Sequence, residues 1–488
     1  MRRVAGVPTS SWLDLSVAMG LDRTASPNVR YSRTVMPTNK NSSSSSGSRD
    51  SEPHPSKRSK ASGAKVRKTM RAAAICAPGF EGVVSKELVG LGCRPKPAGP
   101  GTVEFDATAR QIYMANVWLR AASRVLVRLT TFRSTTLDHL QRRVADLDWA
   151  PWLADGIRPV FRITANDSKL YHTGAISQRL HAALGADPAD AEELGSGFSF
   201  DSGGPLDGEG EQLFIVRIDR NNVTISVDSS GVPLHQRPWR TQLGSAPLRT
   251  TMAAAVLNIV GWGPGQGFLD PFCGVGTIPI EAALMAAGLP PGGDRRFAFH
   301  QWPSFEPGTW ASVGATIQAA NRDQPRAGSP IVASDRDRVV IEAALANAER
   351  AGVGGLVEFS PRVVAHLPPL DGPGMVVTNP PYGRRLGDGN LVPLYKRFGA
   401  VVRERLPEWD LSVVTPERKL AMAADADLRA AARFRHGGLA VELYTRPAQH
   451  GLGQGASSTQ SPLGASNTKP SPSVRQRSTR PNRPNTVA

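Results

Sequence analysis

The 488-residue sequence predicts an α/β protein: a doubly wound, parallel sheet over residues 235–447, preceded by two smaller α+β segments and flanked by disordered ends. Three observations predict it. Short apolar runs alternate with helical spacing through residues 235–447, the pattern of strands joined by crossover helices. A glycine turn, Cys273-Gly274-Val275-Gly276, falls between one such run and the next helix. The composition also changes abruptly at both ends. Ser42 to Ser46 is an unbroken serine run, and residues 449–488 hold Gly, Ser, Pro, Asn and five basic residues with no acid. Such segments cannot bury enough apolar surface to offset the entropy of ordering. Residues 1–69 and 448–488 are therefore expected to be disordered, either as solvated tails or as loose electrostatic arms.

Order is expected from about Thr69. Residues 71–77 form a short apolar strand broken by Pro78-Gly79. Phe80 to Leu91 carries Val83, Val84, Leu88 and Leu91 at helical spacing. Val103 to Phe105 is strand-like, and Ile112 to Leu126 reads as a second helix, followed by a Val-rich run to Leu129. In the next segment, residues 131–234, Val160 to Thr164 reads as a strand and Thr173 to Leu184 as a helix. Phe214 to Ile218 and Val223 to Val227 flank a polar turn and read as a hairpin. Residues 186–211 are acidic and Gly-rich, the composition of a surface loop.

The third segment supplies strands at Gly267–Asp270, Ile331–Ser334, Val357–Phe359, Met375–Thr378, Leu411–Val414 and Leu439–Tyr444. Helices are expected at Ile278–Ala287, Val339–Ala351 and Leu394–Leu406. An insertion containing Trp302-Pro303 and Trp310 separates the first two strands.

Bulk chemistry narrows the function classes. Lys and Arg number 58 against 42 Asp and Glu, a formal charge of +16, which points to a polyanionic partner or to basic tails without a target. The three cysteines, Cys76, Cys93 and Cys273, have no paired spacing and exclude a disulfide framework or a four-cysteine metal site. No metal is expected, and a reducing, cytoplasmic compartment fits. No apolar run approaches the ~18 residues that span a membrane. The Ser- and Arg-rich start also has the composition of an organellar transit segment, and Met36 or Met70 is an alternative start.

Three motifs carry chemistry. Leu269-Asp270-Pro271-Phe272-Cys273-Gly274-Val275-Gly276-Thr277 sits where a strand gives way to a helix, the place where doubly wound sheets bind ligands. Pro279 stands where a dinucleotide fingerprint needs its third glycine, so a dinucleotide is disfavoured. The glycines serve either close cofactor approach or strand–helix packing. Asp335 ends the next strand, where a carboxylate accepts both hydroxyls of a ribose or caps a helix. Val377-Thr378-Asn379-Pro380-Pro381-Tyr382-Gly383 follows an apolar strand. Its prolines set a rigid turn. The Asn379 side-chain carbonyl and the Pro380 carbonyl offer two acceptors suited to an –NH2 group. Tyr382 offers a ring that can stack on a planar base.

Together these motifs resemble those of class I SAM-dependent N-methyltransferases. Upstream, Ala77-Pro78-Gly79-Phe80-Glu81, Trp118 to Arg124, Ser168-Lys169-Leu170-Tyr171-His172, Leu234-His235-Gln236-Arg237 and Ala246-Pro247-Leu248-Arg249 resemble the THUMP-domain RNA methyltransferases. Nearest among them is the bacterial 23S rRNA guanine-N2-methyltransferase subfamily, over roughly residues 70–447. The resemblance implies a ferredoxin-like module at 70–130, a THUMP RNA-binding domain at 131–234 and a Rossmann-like methyltransferase domain at 235–447. It implies S-adenosyl-L-methionine as cofactor, held by Asp270, Pro271, Cys273, Gly274, Gly276, Thr277 and Asp335, with Pro247 near the methionine end. It implies Asn379, Pro380 and Tyr382 as catalytic residues, and RNA contacts from Lys169, Tyr171, His172, Arg237 and Arg240. The implied reaction is methylation of a guanine N2 amine in large-subunit rRNA. The alternatives are the same chemistry on tRNA and a non-catalytic RNA-binding assembly factor.

Three departures stand out. Phe359-Ser360-Pro361-Arg362 lacks the Asp that the family often has near the adenine, Arg384 replaces a common Glu, and Pro238-Trp239 replaces a common Gly-Tyr.

Overall fold

The computed structural model describes residues 69–185, 210–241, 248–293, 295–322, 329–382, 390–436 and 438–448. The expected terminal extensions, the acidic loop at 186–209, Pro247 and Arg384 lie outside the described residues.

Among the described residues the chain builds two seven-stranded sheets. The first runs β2 (Lys96–Pro97), β3 (Thr102–Ala107), β1 (Met70–Cys76), β4 (Ala122–Arg133), β7 (Asn222–Asp228), β6 (Glu211–Asp219) and β5 (Arg158–Asn166). It is mostly antiparallel, with β5 parallel to β6. The sheet crosses the expected module boundary at residue 130 without a break, because β4 is long enough to pair with β1 at one end and with β7 at the other. The hairpin of β6 and β7 turns through Arg220 and Asn221, both at positive φ. That twist matches the right-handed twist of the strands it joins.

One face of this sheet is covered by α1 (Glu81–Gly90), α2 (Ala109–Trp118), α3 (Leu137–Ala145) and α4 (Thr173–Ala183). Their buried residues Val84, Leu88, Ile112, Leu140, Val144, Ile176 and Leu180 join one core with Phe105, Phe161, Phe214 and Val216. A capping box starts α2: the Gln111 amide donates to the Thr108 hydroxyl and the Thr108 amide to the Gln111 side chain. The expected helix over 112–126 is corrected here. It stops at Trp118, and residues 122–126 are the start of β4. Their helix-compatible composition is overridden by ladders with both β1 and β7.

The second sheet runs β10 (Val357–Pro361), β9 (Ile331–Asp335), β8 (Gly267–Asp270), β11 (Gly374–Thr378), β12 (Trp409–Thr415), β14 (Leu439–Arg446) and β13 (Arg429–His436). The first five strands are parallel, as expected; β14 and β13 close the sheet with an antiparallel hairpin whose strand β13 the sequence reading missed. The helices are α5 (Thr250–Ile259), α6 (Thr277–Ala286), α7 (Pro307–Arg322), α8 (Arg338–Arg350), α9 (Val392–Arg405) and α10 (Arg418–Ala424). Strand order reverses at β8, which lies between β9 and β11, so the carboxyl ends of these three strands open onto one crevice. The insertion after α6 wedges Phe297, Phe299, Phe305 and Trp310 against Tyr113 of α2, joining the two sheets into one core. No helix among the described residues is long and apolar enough to cross a membrane.

Candidate active site

Each of the three motifs ends a strand at the switch point. β8 delivers Asp270, β9 delivers Asp335 and β11 delivers Asn379. A cavity of about 420 Å³ lies between them, walled by Asp270, Cys273, Gly274, Asp335, Asn379 and Pro381. Val340, Val363 and Val364 add an apolar side, and Arg362 occupies the wall where the sequence offered no acid. The volume is that of a small-molecule site.

The two glycines of the turn do different work. Gly274 has φ +53, lines the cavity, and a side chain there would meet nothing but open space. Gly276 has φ +84 and starts α6. A Cβ there would press on Ile280, Ala344 and Phe359 at 3.0–3.2 Å. Gly276 is absent from the cavity wall, and its tight surroundings serve helix packing. Pro271 and Thr277 do line the cavity.

Asp335 ties the first two motifs together. Its Oδ2 accepts from the Gly274 amide at 3.1 Å and its Oδ1 from the Asp337 amide at 3.1 Å. The helix-capping alternative belongs to its neighbour: Asp337 accepts from the Val339 amide at 2.9 Å and caps α8. Each Asp335 oxygen accepts one backbone amide and keeps further acceptor capacity.

Asp270 is buried, and burial pushes its carboxyl up to about 7, against the lowering pull of the Thr378 hydroxyl and the Phe272 amide. Burial also pushes the Cys273 thiol well up, with Asp270 and Asp335 adding to the effect, so it is no nucleophile at neutral pH.

At the third motif, Asn379 Oδ1 is buried and has no hydrogen-bond partner among the described residues. A buried unsatisfied acceptor is expensive to keep, and this one belongs to a residue on the cavity wall. Pro381 joins the wall, while Pro380 is buried and does not. Tyr382 is also off the wall, with its side chain 1% exposed. The stacking role expected for Tyr382 is therefore corrected for this conformation: its ring is packed behind the turn. The Tyr395 hydroxyl, from α9, donates to the Pro381 carbonyl at 3.3 Å and braces the same turn.

The expected RNA contacts divide in two. Tyr171 and His172 are exposed, 4.0 Å apart by ring centroid, and line a separate open pocket with Asn166 and Thr173 at the start of α4. Lys169 is exposed on the same loop, which is pinned where its amide donates to Asn221 Oδ1. Arg237 is elsewhere: it is 3% exposed and ion-paired to the buried Glu281 of α6 at 3.1 Å. It also donates to the carbonyls of Leu234 and Arg120. Arg240 is partly buried and donates to the Leu248 carbonyl, and burial pushes it down to about 10. Arg237 presents no charge at the surface, and its RNA assignment is corrected; Arg240 is partly exposed.

Sequence reasoning missed the network that Arg237 joins. Arg120, from the connection between α2 and β4, donates to the Leu284 and Leu289 carbonyls at the end of α6. The amides of Arg120 and Ala121 donate to Glu87 of α1, whose carboxyl burial raises to about 7. The available signal was one acid, Glu281, in an otherwise apolar helix beginning at Thr277. Among the described residues no cluster of His, Cys, Asp and Glu could hold a metal.

Comparison with known proteins bears on this geometry. The RMKL-like methyltransferase-domain family matches residues 237–440, and the RlmL ferredoxin-like domain matches residues 71–126. The candidate RNA methyltransferase slr0064 of Synechocystis sp. is 31% identical over 76% of this chain and 94% of its own. The ribosomal RNA large subunit methyltransferase K/L of Methylococcus capsulatus is 33% identical over 70% of this chain, which spans only 46% of that longer protein. Among solved structures, one from Listeria monocytogenes, described as an N6-adenine-specific DNA methylase, is 32% identical over 78% of this chain, with a TM-score of 0.67. Another, the methyltransferase candidate SMU.472 complexed with SAH, is 27% identical over 78% of this chain, with a TM-score of 0.66. The cavity fits that cofactor chemistry. Its backbone is open at Gly274, Asp335 has spare acceptor capacity for hydroxyls, and valines line one side.

Proposed function

This chain belongs to the RMKL-like family of SAM-dependent RNA methyltransferases, and we propose that it methylates the N2 amine of a guanine in large-subunit rRNA. The observation that carries the reading is the buried, unpartnered Oδ1 of Asn379 on the wall of the crevice cavity. An acceptor held there without a partner is preorganised for an N–H donor from outside. When bound, S-adenosylmethionine supplies an electrophilic methyl group. Gly274 and Asp335 hold the cofactor, Asp335 by its ribose hydroxyls. Asn379 Oδ1 accepts one N–H of the base amine, drawing its lone pair out of ring conjugation and toward the methyl, an alignment effect. The resemblance assigns the Pro380 carbonyl as a second acceptor of the same turn, behind the cavity wall. Tyr395 and the packed ring of Tyr382 keep that turn rigid. The attacking nitrogen, once it carries the methyl group, gives up one proton to solvent, and no strong base is required. Lys169, Tyr171 and His172 form the exposed RNA contact of the THUMP-like segment.

A second reading, transfer to adenine N6, draws on the likeness to the Listeria structure, a predicted N6-adenine-specific DNA methylase. Both bases present an exocyclic –NH2, and Asn379 alone does not discriminate them. Incubation with labelled cofactor and separated RNA pools, followed by nucleoside mass spectrometry, decides. N2-methylguanosine in large-subunit rRNA is expected. N6-methyladenosine would transfer the mechanism to the second reading, and N2-methylguanosine confined to tRNA would overturn the substrate.

A further inference from the structure

The cavity extends past the residues that the reaction uses. The strands that open onto it stand in the order β10, β9, β8 and β11. At about 4.8 Å per strand, the end of β10 lies roughly 14 Å from the end of β11, where Asn379 follows. Asp335, the ribose residue of the reading above, ends β9 between them. A ligand with its methyl side at Asn379 and its ribose on Asp335 has the β10 end of the cavity left for its base. The wall there is Arg362, Val363 and Val364, from the segment after β10, with Val340 of α8. Val363 is 44% exposed beside this opening, an apolar side chain that a planar ring would cover.

The side-chain polar groups at that end are donors. Arg362 is half-buried, and its amide donates to the Asp335 carbonyl at 2.7 Å, which fixes it beside the ribose residue. Its side chain makes no ion pair among the described residues. A guanidinium carries five N–H donors and no acceptor. Arg336, also on the wall, adds a second guanidinium. Among the described residues the acids on the wall are Asp270, Asp335 and Asp337, and none follows β10. Asp270 accepts from the Thr378 hydroxyl on the far side of Asp335. Asp337 is held toward α8, where its Oδ1 accepts the Val339 amide. An exocyclic amine needs an acceptor, whereas donors suit the ring nitrogens of a purine, N7 among them.

We propose that Arg362 determines how the base of the cofactor is recognised: it donates to N7, and the site leaves the 6-amino group unread. The cofactor site therefore accepts a 6-oxopurine in place of adenine. A guanidinium fork pairs with adjacent N7 and O6 acceptors in one plane, so the 6-oxo base gains a bond that adenine does not offer. A site with an acceptor aimed at the 6-amine behaves in the opposite way, because an analogue lacking that N–H leaves a buried acceptor unpaired. The proposal rests on the reading of the crevice as the cofactor site and adds to it the residue that sets base selectivity.

The test is calorimetric binding of two ligands to the full chain: S-adenosylhomocysteine, and S-inosylhomocysteine, which carries a 6-oxo group in place of the 6-amine. The wild type should bind the inosyl compound within about threefold of the adenosyl compound, or more tightly. Arg362→Ala should raise both Kd values by about tenfold, the scale of one charge-assisted hydrogen bond lost. Arg362→Asp should create a preference for the adenosyl compound of about tenfold or more, since a carboxylate accepts from an amine and repels a carbonyl oxygen. Thermal midpoints without ligand check that both variants fold. Asp337→Asn keeps the helix cap and should leave the ratio of the two Kd values unchanged. A wild-type loss of more than about tenfold on the inosyl compound, or a ratio that moves in Asp337→Asn and not in Arg362→Asp, would overturn Arg362 as the base reader. Adenosyl binding that Asp335→Ala leaves unchanged would instead overturn the crevice as the cofactor site, and the proposal with it.

Discussion

At the scale of single residues, the site divides labour that the sequence shows as one motif. Gly274 and Gly276 look equivalent in the chain, yet one opens onto the cavity and the other admits Ile280, Ala344 and Phe359. Only the fold distinguishes them, because the distinction depends on which elements pack behind the turn. Asp335 was likewise ambiguous between a ribose contact and a helix cap. Backbone partners give the tie to Gly274 to Asp335 and the helix cap to Asp337. Asp335→Ala should therefore weaken cofactor binding by at least tenfold in calorimetry, whereas unchanged affinity would remove Asp335 from the cofactor site. Asp270 supplies a pH dependence. Its carboxyl, raised to about 7 by burial, is neutral at pH 6 and mostly ionised at pH 8. A cationic ligand is favoured by the ionised form. The preference for the sulfonium cofactor over its neutral-sulfur product should thus rise between pH 6 and 8. In Asp270→Asn the ratio of the two dissociation constants should stay flat over that range. A flat ratio in the wild type would place Asp270 too far from the bound cation.

At the scale of elements, the sequence was most legible where one kind of contact decided the outcome. Apolar strands β8, β9, β11 and β12 were found close to their ends because both of their faces are buried and their composition has little else to do. β4 was misread because its first residues suit a helix and only their pairing with β1 makes them a strand, which β7 then continues. β13 was missed because it is an edge strand that reads Arg, Ala, Arg, Arg on its exposed side. Arg237 was assigned to RNA from a motif, and its real partner, Glu281, lies 44 residues away on α6. Through Arg120 and Arg237, the connection before β4 and the segment after β7 grip the helix that follows the cofactor turn. Breaking a buried pair leaves an uncompensated charge and costs about 3–5 kcal/mol. Arg237→Met should lower stability to denaturant by that order and loosen cofactor binding with it. Arg237→Met/Glu281→Met should recover much of the loss. A single variant as stable as the wild type would show that the pair carries no strain when broken.

At the scale of the whole molecule, the chain joins two sheets that face different tasks: one presents the Tyr171–His172 pocket, the other holds the cofactor crevice. The Phe80–Phe434 contact, at 4.9 Å, and the aromatic wedge around Tyr113 join them. This junction explains part of the upstream motif. Gly79 packs against the Arg433 carbonyl, where a Cβ would come within 2.5 Å. The overall excess of positive charge was visible in composition, but its placement was not. Residues 1–68 supply no described part of either sheet. Their deletion should leave methyl transfer by the folded remainder within about twofold of the full chain, an effect under about 0.5 kcal/mol in barrier height. A large loss in an intact fold would make the segment part of RNA capture.

The central claim is that Asn379 holds the reacting amine. The most direct measurement is single-turnover methyl transfer by Asn379→Ala, with the cofactor Kd measured on the same preparation. The account predicts a rate lower by about 10²-fold or more, the scale of losing one preorganised group at a reacting centre, with cofactor affinity nearly intact. Turnover at the wild-type rate would contradict it.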